Sequence, residues 1–164
     1  MRKLSLATTA ALLLLAAFGN SFAQQSQPQL FTDIERVLRE KEPRWKTERV
    51  SVGTETDPLR LDIVLRAGQQ QAAIAINLWT TEKDAHDVFA AHAAAMSNTR
   101  KGSRRSRLPN LGVENYIWTN PGGAAWPIIH FRQSRAHVTV FAPSITVAER
   151  FARHVLSQVT ANQD

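Results

Sequence analysis

The chain has 164 residues, no cysteine and a formal net charge of +6, with 43% of its residues hydrophobic. Disulfides, a thiol nucleophile and a cysteine-linked lipid anchor are thereby excluded, so stability must come from an apolar core, which a chain of this length can supply. The positive charge is local. Residues 24–99 hold nine basic and eleven acidic side chains, residues 100–164 hold nine basic and three acidic, and five of the latter nine are Arg100, Lys101, Arg104, Arg105 and Arg107. The high isoelectric point therefore reports one segment rather than a basic fold.

In chain order, Arg2 and Lys3 form a basic start, Ala10–Phe18 is an unbroken apolar run, and Ser21-Phe22-Ala23 places small residues at −3 and −1. This is the pattern of a secretory signal peptide cleaved after Ala23. The apolar run is shorter than the roughly 20 residues needed to span a bilayer. With no Asn-x-Ser/Thr sequon in the chain, the expected address is the bacterial periplasm or the medium. Residues 24–29 read as a polar, disordered leader and residues 30–164 as a single α+β domain.

Thr32-Asp33-Ile34-Glu35 is a capping box that predicts a helix ending before Pro43. Trp45–Val52 reads as a strand. From Leu59 to Arg66 apolar and polar residues alternate with period two, Gly68-Gln69 suits a tight turn, and a second alternating run ends at Leu78. With that turn as the loop, Leu65 faces Ala72, Ile63 faces Ile74, Leu61 faces Ile76 and Leu59 faces Leu78. A slip of one residue would mix the two faces, so the pattern specifies the register. Thr81 and Asp84 then open a helix whose stripe is Ala85, Val88, Phe89, His92 and Met96.

Ser97–Asn110 has no periodicity and reads as a loop carrying the basic cluster. Val113–Thr119 reads as a strand with Tyr116 and Trp118 on one side and Ile117 on the other, followed by a turn at Asn120-Pro121-Gly122-Gly123. A second strand–turn–strand–helix unit then follows. Trp126–Arg132 and His137–Ala142 are its strands, with Phe131 facing Val138 and Ile129 facing Val140 if Ser134-Arg135 is the loop. Thr146 and Glu149 form a capping box for a last helix with the stripe Val147, Phe151, Val155, Leu156 and Val159. The expected fold is α+β: a mainly antiparallel sheet of about six strands, in the order α-βββ-α-βββ-α, with helices packed on one face and a hairpin–helix pseudo-repeat.

Two surfaces stand out as candidate binding sites. On the outer face of the second hairpin lie Trp126, Ile128, His130, Arg132, His137, Thr139 and Phe141, with Arg132 opposite His137 and His130 diagonal to it. The corresponding face of the first hairpin is plain: Arg60, Asp62, Val64, Arg66, Gln71, Ala73, Ala75 and Asn77. The other surface is the basic segment Arg100, Lys101, Arg104, Arg105 and Arg107, whose chemistry suits an anionic envelope polymer or lipid headgroup. No aromatic interleaves those cations, which speaks against stacking on single-stranded nucleic acid. Two histidines do not make a zinc site, no third ligand is visible in the sequence, and no cofactor is expected. No Gly-x-Ser-x-Gly, His-Glu-x-x-His or phosphate-binding glycine loop occurs. The reading is an exported, non-enzymatic binding domain whose partner is a protein or an anionic envelope component. A small hydrolase with a site assembled between sheet and loop is the alternative.

Overall fold

In a computed structural model of the chain, Leu59–Ala67 (β2) pairs with Gln70–Leu78 (β3) in the register that the alternation dictates: Leu65 with Ala72, Ile63 with Ile74, Leu61 with Ile76 and Leu59 with Leu78. Gly68 takes a φ of +60° at the first turn position, which an L side chain resists. The structure describes residues 29–53, 58–99, 104–119 and 126–162. The expected signal peptide, all of the leader but Gln29, Arg100, Lys101 and the turn at residues 120–123 lie outside these.

The other elements are a helix over residues 29–41 (α1), Lys46–Gly53 (β1), Glu82–Thr99 (α2), Arg104–Ser106 (β4), Glu114–Thr119 (β5), Ile128–Gln133 (β6), Ala136–Phe141 (β7) and Ile145–Ala161 (α3). The strands form one antiparallel sheet in the order β1-β2-β3-β7-β6-β5-β4. The α+β class and the element order are those expected from sequence, with the short strand β4 added between α2 and β5. The second hairpin also keeps its expected register, with Phe131 opposite Val138 and Ile129 opposite Val140. Because β3 pairs with β7, the triplet β1-β2-β3 is continued by β7-β6-β5 as if by a two-fold axis through the middle of the sheet.

The helices do not share one face. Leu30, Ile34 and Leu38 of α1 and Phe151, Ala152, Val155 and Val159 of α3 form a single core with Leu61, Ile63, Leu65, Ile74, Ile76, Phe131, Val138 and Val140. Phe89 and Ala93 of α2 instead pack with Tyr116, Trp118 and Ile128, which belong to the opposite face. The reason is competition for area. Both α2 and α3 contact β6 and β7, and a strand pair can bury one helix per face. The apolar outer face of the second hairpin draws α2, whereas the plain outer face of the first hairpin carries no helix among the described residues.

Several local boundaries also differ from the sequence pattern. Helix α1 starts ahead of Thr32, because Leu30, Ile34 and Leu38 make one buried stripe; Asp33 then accepts hydrogen bonds from Gln29 and Arg36 inside the helix. The cap of α3 is Ser144 rather than Thr146, with its hydroxyl accepting from the Val147 N–H. Helix α2 keeps its expected start: Thr81 Oγ1 accepts from the Asp84 N–H at 3.1 Å. The described residues of the segment expected as a loop through Asn110 instead belong to the end of α2, strand β4 and a tied turn. The buried Asn115 holds that turn, donating to the carbonyls of Leu108 and Leu111 and accepting from the Leu108 N–H. At Gly112, φ is +65° and a Cβ would lie 2.5 Å from the Arg132 carbonyl oxygen, so no other residue fits without displacing β6. Among the described residues no helix is long and apolar enough to cross a membrane.

One ion pair ties α1 to α3. The buried carboxylate of Glu42 accepts two hydrogen bonds from Arg150, at 2.8 and 3.1 Å, and lies 3.3 Å from His154 Nε2. The guanidinium holds the Glu42 carboxyl below its ordinary pKa of 4.5, against the opposing effect of burial. A depressed folded-state pKa stabilises the fold above the unfolded value and ceases to do so as pH falls through the folded one. Glu42→Gln should therefore cost about 1–2 kcal/mol near neutral pH, a figure discounted for the half-exposed Arg150. The gap from wild type in urea melts should close below pH 4.5. A gap independent of pH would show that the charge on Glu42 contributes nothing.

Candidate functional site

The outer face of β6 and β7 carries the chemistry. Strand alternation places His130 of β6 and His137 of β7 on that face, and α2 lays His92 over them. The three rings form a cluster, with centroids 4.6 Å apart for His92–His130, 5.7 Å for His92–His137 and 5.8 Å for His130–His137. One nitrogen from each can be chosen so that all three lie within 4.8 Å of one another. Tyr116 of β5 stacks on His130 at 4.7 Å, and Phe89 of α2 meets His137 edge-on at 5.5 Å.

Hydrogen bonds set two of the rings. His92 Nδ1 is 2.8 Å from the Tyr116 hydroxyl, and His130 Nδ1 is 2.9 Å from Thr139 Oγ1. His137 is only 4% exposed, and neither of its ring nitrogens has a hydrogen-bond partner among the described residues. Burial, aided by the neighbouring His92, pushes the His137 pKa down to about 4, and burial lowers that of His92 as well. Both rings are therefore neutral at pH 7, leaving a lone pair on one nitrogen of each.

This cluster borders an open groove of about 360 Å³ where α2 leaves the sheet uncovered. Val88, Met96, Ile128, Phe141 and Ala75 supply apolar walls; Arg60, Asn77, Thr139 and the three histidines supply polar groups. Arg60 is held by Asp62 at 2.7 Å.

Of the residues singled out from sequence, Ile128, His130, His137, Thr139 and Phe141 line this groove. They do not sit on an open face: His130 is 1% exposed, and Ile128 is also buried, because α2 covers them. Trp126 is exposed just ahead of β6 and takes no part in the groove. Arg132 points to a separate contact, pairing with Glu114 and donating to the Ser134 carbonyl. His86 meets the same Glu114 at 3.0 Å. Burial works against that carboxylate, but His86 and Arg132 outweigh it and hold its pKa below the ordinary value. Of the basic segment, Arg104 and Arg105 lie in β4 opposite Thr119 and Trp118, and Arg107 is exposed. The sequence did not reveal that His92 joins His130 and His137. Its position on the apolar stripe of α2 was the available signal, and it becomes informative only once α2 is known to cover the histidine face.

No protein family, no curated protein and no solved structure matches the chain. The site therefore rests on its own geometry.

Phe89 is the anchor that keeps His92 over the sheet, tilted against Tyr116 with ring centroids 5.1 Å apart. Phe89→Ala should destabilise the fold by about 3–5 kcal/mol. Val88→Ala, one residue away at a partly exposed position, should stay within about 0.5 kcal/mol of wild type. Urea denaturation compares the two. Equal stability of both variants would mean that α2 is not docked on this face.

Proposed function

We propose that the chain is an exported binding domain rather than an enzyme, with its ligand site in the groove beside α2. The observation that carries this reading is the groove itself: apolar walls converging on a few buried polar groups, at a volume within the usual range for small-ligand sites. Arg60 and Asn77 toward one end of the groove, with Phe141, Ile128 and Met96 toward the other, suit a small molecule with an apolar body and an anionic or hydrogen-bond-accepting group. The hydroxyls nearest the imidazoles belong to Tyr116 and Thr139, and they orient rings rather than face the groove mouth as free nucleophiles. Export is supported by Arg2-Lys3, the apolar run Ala10–Phe18 and Ser21-Phe22-Ala23.

The test uses protein produced from the full-length gene in a bacterium and recovered from the periplasm or medium, where its mass should correspond to a chain beginning at Gln24. The probe is 8-anilinonaphthalene-1-sulfonate, which combines aromatic rings with one anion. Wild type should bind it saturably and with enhanced fluorescence. Ala75→Trp, which fills the groove from β3, should weaken binding at least tenfold with an unchanged melting temperature. Equal binding by the filled variant would place the dye elsewhere and overturn the groove as the ligand site.

A further inference from the structure

The histidine cluster has the composition of a metal site. From its geometry we infer that His92, His130 and His137 bind a divalent transition-metal ion of the zinc class, leaving one coordination position open toward the groove. This deepens the ligand-site reading above and rests on it only for what fills that fourth position.

Three independent features converge on this assignment. The first is spacing. A tetrahedral ion with Zn–N bonds of about 2.0–2.1 Å sets its donor atoms roughly 3.4 Å apart. The candidate nitrogens already lie within 4.8 Å of one another, on three different elements of the fold. Small ring rotations bring them onto one ion.

The second is the hydrogen-bonding around the rings. A metal-ligating histidine engages its other ring nitrogen with a neighbour that fixes tautomer and orientation. Here Nδ1 of His92 faces the Tyr116 hydroxyl at 2.8 Å, and Nδ1 of His130 faces Thr139 Oγ1 at 2.9 Å. In both rings Nε2 is then the coordinating atom. The third feature is His137. It is a nearly fully buried imidazole in which neither nitrogen has a hydrogen-bond partner among the described residues. A buried polar group left so is costly, and an ion shared with His92 and His130 satisfies one of its two nitrogens.

The donor set selects the ion. Three imidazole nitrogens suit Zn²⁺, Cu²⁺ or Ni²⁺, whereas Ca²⁺ and Mg²⁺ require oxygen ligands. With three protein donors the ion keeps a fourth position, as in open rather than closed zinc sites. Since His92, His130 and His137 all border the groove, that position faces it. Water occupies it until an anionic or neutral donor from a groove ligand replaces it.

Isothermal titration of chelator-treated protein with Zn²⁺ tests the assignment, with Ca²⁺ as the control ion and Co²⁺ absorption reporting coordination geometry. Wild type should bind one Zn²⁺, ignore Ca²⁺, and show the visible band of tetrahedral Co²⁺. His130→Gln and His137→Gln should each weaken Zn²⁺ binding at least 100-fold, and Tyr116→Phe, which loses only an orienting bond, by about 10–100-fold. His86→Gln, at an exposed position on the same helix, should bind like wild type. Thermal melts identify any variant that does not fold. Zn²⁺ should also raise the melting temperature of wild type but not of folded His137→Gln. Stoichiometric binding that survives in His137→Gln, or no Zn²⁺ binding by folded wild type, overturns the assignment. Dye binding without Zn²⁺ binding would leave the groove standing and remove the metal; the reverse would leave the metal and remove the groove.

Discussion

The fold depends on the covering of one sheet face by one helix. The outer side of β5, β6 and β7 presents Tyr116, Trp118, Ile128, His130 and His137, which together are too apolar to remain in water. Helix α2 removes that surface with Phe89 and Ala93. Because α3 already occupies the other side of β6 and β7, the two helices sandwich the same strand pair. The strands keep an approximate two-fold relation about the β3–β7 pairing, and the helices break it. The difference originates in the outward-facing residues of the two hairpins, which are otherwise alike.

The same covering gives the histidines their character. His130 and His137 on an uncovered face would be hydrated, basic and independent. Beneath α2 both are desolvated, His137 is held neutral at physiological pH, and a third ring from the helix joins them. Burial of imidazole without a full set of hydrogen bonds opposes folding. The face is therefore partly unsatisfied where the groove meets it, and a bound ligand has most to gain at such a place. The contrast with Glu42 is instructive. Glu42 is also buried and titratable, but Arg150 and His154 satisfy it fully, and it serves to join α1 to α3.

Much of this architecture was legible in the sequence because period-two alternation leaves little freedom. Ile63 can oppose Ile74 only if Gly68-Gln69 turns, and the same logic fixes Ile129 against Val140. The α2 stripe was legible too, since Ala85 and Phe89 are its buried members. What alternation does not encode is the side of the sheet to which a helix crosses. Both faces of the second hairpin are apolar, and a helix stripe carries no label for either. The starts of α1 and α3 differ from the capping pattern for a related reason: Thr32 and Thr146 fit that pattern, but burial of Leu30 and the cap at Ser144 decide the boundaries. The link between His92 and His130 is not legible in the sequence because the two are 38 residues apart. Only the placement of α2 brings them together.

The central claim is that α2 seats His92 on the histidine face of the sheet. Nuclear Overhauser effects between ring protons measure this directly. With centroids 4.6 Å apart, the rings of His92 and His130 should give strong cross-peaks, and Phe89 should give them to Tyr116. Cross-peaks from Phe89 and His92 to core residues such as Val138 or Phe151 instead, or to no sheet residue at all, would contradict the account.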